Sequence, residues 1–256
     1  MTTRFFNILR WKQDPGAEDI LARSVLSQLQ SWKKANRKMG WGITSEEFDE
    51  IRSISGVKGK SCDRGFGCFA LSYGFGDDGH GNSDSVLSGK MAWEYACRNR
   101  WRKTWQCRYI DFDKPDHVRL RPGAPTRPRG FYFTLVGSAD QYRNMTVSRA
   151  RKTFQGETGL GPEGVQLLAI THTHLQDMMN ERKIAFMVLA DYDVAPYGFN
   201  DFFDAVQVFC SLEILGLGIG NVDRRYPLFG IPQMRLFPKT RVNRVALFPP
   251  LTMQPD

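Results

Sequence analysis

The chain has no long hydrophobic run. Its most apolar stretch, residues 184–190 (IAFMVLA), is only seven residues long, against the ~20 that a membrane-spanning helix needs. No membrane span is expected. Cysteine is scarce too. Cys62, Cys68, Cys97, Cys107 and Cys210 are odd in number and irregular in spacing. That argues against a disulfide framework, and no close CxxC pair signals zinc. Free, buried thiols in a reducing, intracellular, cytoplasmic setting are expected. The opening residues, MTTRFFNILRWKQDPG, have their apolar part broken by Asn7 and Arg10. No small-residue cleavage site follows, so a signal peptide is not expected.

Catalytic signatures are also missing. No GxSxG elbow, HExxH, P-loop or intact kinase set occurs. LGLGIGN (215–221) alternates glycines but lacks the spacing of GxGxxG, and reads as a strand meeting another backbone closely. GDDGHGNSD (76–84) is acidic, yet it has no closing glutamate and begins on a glycine, so it reads as a turn rather than a calcium loop. No internal repeat or low-complexity segment is present.

What remains is ordinary globular material: 256 residues, 41% hydrophobic, with 18 Phe, 8 Tyr and 6 Trp. That supports a sizeable core. Helical spacing marks residues 17–38, through Ile20, Leu21, Val25, Leu29 and Trp32. Ser45 is a candidate N-cap for the next helix, before Phe48 and Ile51. A strand is expected over 67–75, a helix over 83–100, strands over 105–112, 118–121 and 131–136, and a helix over 146–157. Residues 162–180 read as a helix, with Pro162 and Glu163 at its start. Residues 184–190 read as a buried strand. Further strands are expected within 205–219 and 228–236. Helices thus concentrate in the N-terminal part. The expected fold is a single α+β domain with a mixed sheet. Residues 1–60 are expected to form a helical lobe of that domain, and residues 61–256 its α+β body.

The formal charge is +8, and it is unevenly spread. Residues 91–130 carry ten Lys/Arg against four acids, interleaved with Trp93, Trp101, Trp105 and Tyr109. Binding single-stranded nucleic acid needs both ingredients, cations for phosphates and ring faces for bases. The candidate polyanion-binding set is Arg98, Arg100, Arg102, Lys103, Arg119, Arg121, Arg127, Arg129, Trp101 and Trp105. The bland alternative is core aromatics with a solvated basic rim.

Residues 184–223 show the opposite bias, with six acids and no Lys or Arg. Asp191-Tyr-Asp193 follows the apolar strand, and Asp111-Phe-Asp113 repeats the pattern. Carboxylates at strand ends suit Mg²⁺ as a cofactor. Only four histidines occur, and THTH (171–174) would place His172 and His174 on one face of a strand but not of a helix. The candidate metal ligands are therefore Asp191, Asp193, Asp111, Asp113, His172 and His174. Asp201 and Asp204 read as helix-start residues behind Asn200. The same acids could instead pair with the basic tract.

Three functions stay open. One is a binding protein for a polyanion, of which single-stranded nucleic acid is one. One is a Mg²⁺-dependent enzyme acting on a phosphorylated substrate through the Asp-x-Asp pair. One is a self-assembling homo-oligomer with paired acidic and basic zones. Whether the chain is an enzyme is undecided by its sequence.

Overall fold

The computed structural model describes residues 25–54, 66–76, 84–99, 103–114, 117–137, 142, 144–154, 157–173, 186–195, 202–211, 214–225 and 229–237. Among the described residues, five helices and two sheets make up a single α+β domain. The helices are α1 (Val25–Met39), α2 (Ser45–Ile54), α3 (Asp84–Asn99), α4 (Val147–Thr153) and α5 (Pro162–Gln166). The strands are β1 (Phe66–Gly74), β2 (Thr104–Gln106), β3 (Val118–Leu120), β4 (Gly130–Gly137), β5 (Thr158–Gly159), β6 (Phe186–Val194), β7 (Asp204–Ser211), β8 (Ile214–Asn221), β9 (Phe229–Gly230) and β10 (Gln233–Phe237).

The first sheet is antiparallel, in the order β1-β4-β10-β5. The second is mixed, in the order β2-β8-β7-β6-β3, with β2 parallel to β8 and β9 parallel to β6. Both sheets and helices α1, α3 and α5 contribute to one main core. A smaller cluster lies on the other side of the second sheet, where Val147 and Ala150 of α4 meet Val188, Ala190 and Ala205.

Helix α1 buries Gln28, Leu29, Trp32 and Ala35, a stripe set by helical spacing. Two of these, Gln28 and Trp32, carry hydrogen-bonding groups with a specific task. β1 is an edge strand, and an unpaired edge leaves backbone groups without partners. The Leu71 amide donates to Gln28 Oε1 (2.7 Å), and Leu71 O accepts from Trp32 Nε1 (2.9 Å). Two residues on, the Tyr73 amide donates to Gln166 Oε1 (3.1 Å), and Gln166 Nε2 donates to Tyr73 O (2.7 Å). Helices α1 and α5 thus stand in for the missing strand through side-chain amides and an indole.

Helix α2 is capped by Thr44 rather than by Ser45. The Glu47 amide donates to Thr44 Oγ1 (3.3 Å), and Glu47 Oε2 accepts from the Thr44 amide (3.1 Å). This is a capping box one residue earlier than the sequence reading. Thr44→Ala should cost about 1 kcal/mol in chemical unfolding, while Ser45→Ala should change little.

Other expectations shift in instructive ways. The 105–112 run pairs only over Thr104–Gln106 and then turns. Helix α5 passes into a π-helical segment, Leu167–Thr171, that is buried throughout; the expected helix beyond residue 173 lies outside the described residues. Asp204 does not start a helix. It opens strand β7, which forms a hairpin with β8. Val206 and Val208 face the main core, while Ala205 joins the smaller cluster. That period of two outweighs the cap signal at Asn200. Asn200 and Asp201 lie outside the described residues. Most important, β6 does not stop at Ala190. It runs to Val194, pairing Tyr192 and Val194 with Leu120 and Val118.

Candidate functional site

Asp191 and Asp193 therefore sit within a strand, not beyond its end. Asp191 is fully buried and Asp193 is 5% exposed. Burying a carboxylate is costly unless it is paired and hydrogen-bonded. Opposite β6, strands β3 and β9 each cover only part of its edge. Into the gap between them comes the β5 segment of the first sheet. The Asp191 amide donates to Leu160 O (2.9 Å), and the Arg121 amide donates to Asp191 O (2.8 Å).

The Asp191 carboxylate fastens this junction. Its Oδ1 accepts from the Gly159 amide (3.1 Å) and Arg121 Nη2 (3.3 Å). Its Oδ2 accepts from Arg127 Nη2 (3.0 Å) and from the Thr158 hydroxyl. Only glycine fits at 159, where a β-carbon would stand 2.6 Å from that of Ala190.

Arg127 is the hub. It is 1% exposed. Its Nε and Nη2 donate to the two oxygens of Glu163 (2.8 and 3.4 Å). Its Nη2 also donates to Gly159 O (3.2 Å), and its Nη1 to Pro125 O (2.7 Å). Glu163 in turn accepts from the Tyr132 hydroxyl (2.8 Å) and reaches back to the Gly161 amide (3.0 Å). Burial alone would favour loss of the Arg127 proton, but Glu163 and Asp191 hold the guanidinium charged. Burial, with the Glu163 charge added, pushes the Tyr132 and Tyr192 phenols well above their ordinary range.

Asp193 is served differently. Arg151 Nη2, from α4, stands 2.7 Å from its Oδ1. That oxygen nonetheless lacks a well-directed hydrogen bond, so the contact is an ion pair rather than a fork. Burial raises the Asp193 pKa, while Arg151, then Arg119 and Arg121, pull it down without cancelling the rise.

The basic tract thus divides. Arg127 and Arg121 are spent on Asp191. Arg119 stacks on Phe202, its Cζ 3.5 Å from the ring centroid. Trp93 is core, donating its indole N–H to Gln106. Arg98, Lys103, Trp105 and Arg129 are exposed. Arg100, Trp101 and Arg102 lie outside the described residues.

The candidate metal ligands do not assemble. Asp113 pairs with Lys90, and Asp111 with Lys114 (3.1 Å). His172 is buried, its Nδ1 3.0 Å from Thr171 Oγ1, and His174 lies outside the described residues. Among the described residues, no three His, Cys, Asp or Glu side chains gather where a metal ion could sit. Both oxygens of Asp191 already hold cationic or neutral donors. Sequence reading missed Glu163, Thr158, Tyr132 and Arg151, since nothing local separates a buried Glu163 from an ordinary acid in a helix's first turn.

Trp105 lies at the far edge of the second sheet. Its ring centroid is 5.7 Å from that of Phe209. Phe209 lies over Gly216, where a β-carbon would meet the ring at 2.2 Å. The alternating glycines of β8 thus give the Phe209 ring a flat seat. Comparison with known families, curated proteins and solved structures gives no match. No helix among the described residues is long and apolar enough to cross a membrane.

Proposed function

We propose that the protein binds a polyanion bearing stackable bases, single-stranded nucleic acid, along the β2 edge of the second sheet. The observation that supports this reading is Trp105. It is 49% exposed on an edge strand, beside the glycine-seated Phe209 ring. Exposed Lys103 and Arg108 flank it in sequence. Large aromatics are normally buried, so an indole kept in water, with two exposed cations close to it in sequence, is a surface suited to a charged, planar-faced ligand. Each stacked base contributes about 1–3 kcal/mol, and the cations answer phosphates.

The competing enzyme reading used Asp191 and Asp193, whose arginine partners give them a sufficient structural occupation. The test is Trp105→Ala. Affinity for a labelled single-stranded oligonucleotide should fall about 5- to 150-fold, the equivalent of one lost stack. Unfolding stability should move by less than about 1 kcal/mol, because the ring is half exposed. Unchanged affinity would remove the proposal.

A further inference from the structure

Arg119 is a cation with little to hold. On β3 it stands directly opposite Asp193 of β6. Yet its guanidinium forms no hydrogen bond or ion pair with any described residue, and its buried Nε has no acceptor. Among the described residues, the Phe202 ring lies against it. Stacking uses the flat face of a guanidinium and leaves the in-plane N–H groups unspent. The ring therefore fixes the plane of the fork without consuming its donors.

Arg121 lies one residue past the end of β3, where its amide still pairs with Asp191 O of β6, so it projects to the same side as Arg119. Its Nη1 donates to Pro122 O (3.2 Å) and its Nη2 to Asp191, but its Nε too is buried without an acceptor. Arg151 approaches from α4, with Nε on Ala190 O (2.7 Å) and Nη2 at Asp193. The charges of all three arginines bear on Asp193. Taken with Arg127, four guanidinium groups face three carboxylates, Glu163, Asp191 and Asp193, leaving one positive charge in excess. A buried N–H without an acceptor destabilises the fold that holds it. Two such donors, on neighbouring arginines with surplus charge, match one kind of group, an oxyanion.

We infer that Arg119, Arg121 and Arg151 form a binding site for a phosphate oxyanion, with Asp193 as the internal anion that occupies it in competition. The site lies at the β3 edge of the second sheet, opposite the β2 edge that carries Trp105. It rests on separate residues from the proposal above. A phosphate there can belong to a small phosphate ester or to the end of a nucleic acid strand. The shared chemistry is a tetrahedral oxyanion with at least two free oxygens, suited to forked donors.

Titration with inorganic phosphate at constant ionic strength, read by calorimetry and by phosphorus NMR line width, tests the site. Saturable one-site binding is expected, with potassium chloride giving none. Arg119→Ala should weaken it at least about tenfold. Asp193→Asn should strengthen it several-fold, because the competing carboxylate is gone; a purely structural role for the cluster would not produce that gain. Should Arg119→Ala fail to fold, Phe202→Leu keeps the cation, removes the stack, and should weaken phosphate several-fold. No saturable binding, equal binding by Arg119→Ala and the wild type, or weaker binding by Asp193→Asn would overturn the inference. A second arm uses 5′-phosphorylated and 5′-hydroxyl oligonucleotides with the Trp105→Ala protein. A preference for the 5′-phosphate assigns the site to strand ends. Equal binding of the two, with inorganic phosphate still bound, assigns it to a small phosphate ester.

Discussion

Arg127→Ala should lower the unfolding free energy by about 3–5 kcal/mol, the cost of breaking a buried ion pair from one side. That is a large share of the ~5–15 kcal/mol that holds a domain of ordinary stability. The reason is what the substitution leaves behind. Asp191 and Glu163 are 0% and 1% exposed. Without Arg127, the partners left to Glu163 among the described residues are the Tyr132 hydroxyl and the Gly161 amide. Asp191 keeps Thr158, the Gly159 amide and the longer Arg121 contact. Two buried negative charges then face one another with no full countercharge between them. Arg127→Lys should be nearly as damaging. Lysine keeps the charge, but a single ammonium cannot reach Pro125 O, Gly159 O and both carboxylates as the planar guanidinium does. Urea unfolding of both variants measures this, and a loss below about 1 kcal/mol for Arg127→Ala would show that the network does not join the sheets.

Raising the pH should unfold the protein steeply above the ordinary phenol range. Tyr132 and Tyr192 are fully buried, and burial raises both well above 10.0. In the unfolded chain they ionise near pH 10. Their contribution to stability is therefore fully present below about pH 10. It is lost as the pH climbs from there towards their folded values, because only the unfolded chain can release these protons. Each phenol removes about 1.4 kcal/mol per pH unit in that window. Ultraviolet titration of the phenols should show these two absent from the reversible phase, together with Tyr73, which burial and its Glu47 partner also raise, and released with loss of tertiary structure. Replacing Tyr192 with phenylalanine should make the alkaline transition shallower by about one proton. If all 8 tyrosines titrate before the fold opens, the buried placement of this pair is contradicted.

Local physics made much of the fold legible. Trp32 and Leu29 lie one turn apart, and the structure buries both on α1. Residues 187–190 of the apolar run are buried in strand β6, and the helix expected from residue 146 is present as α4, Val147–Thr153. What local patterns hid was every feature that depends on distant partners. β6 continues past Ala190 because arginines from residues 121, 127 and 151 neutralise Asp191 and Asp193 within the strand. A window centred on ADYDV sees only two charges that should end a buried strand.

The site was half legible for the same reason. The separation of a basic tract from an acidic segment was plain, and its main product proved to be internal pairing, Arg121 and Arg127 to Asp191. Which cations would be left over was not plain. Arg119 and Arg127 share one proline-rich tract, yet Arg127 is spent in a buried network and Arg119 rests on Phe202 with its buried Nε unpaired. Nothing in either residue's neighbours in sequence separates them.

The central functional claim is a single strand laid on Trp105 with cations beside it, and the salt dependence of binding tests it most directly. Affinity for a single-stranded oligonucleotide should fall linearly on a double-logarithmic plot against salt. With Lys103 and Arg108 each releasing one counterion, the slope should be about −1.4. Lys103→Ala together with Arg108→Ala should reduce it by about 1.4. An affinity that stays flat from low to high salt would contradict the account.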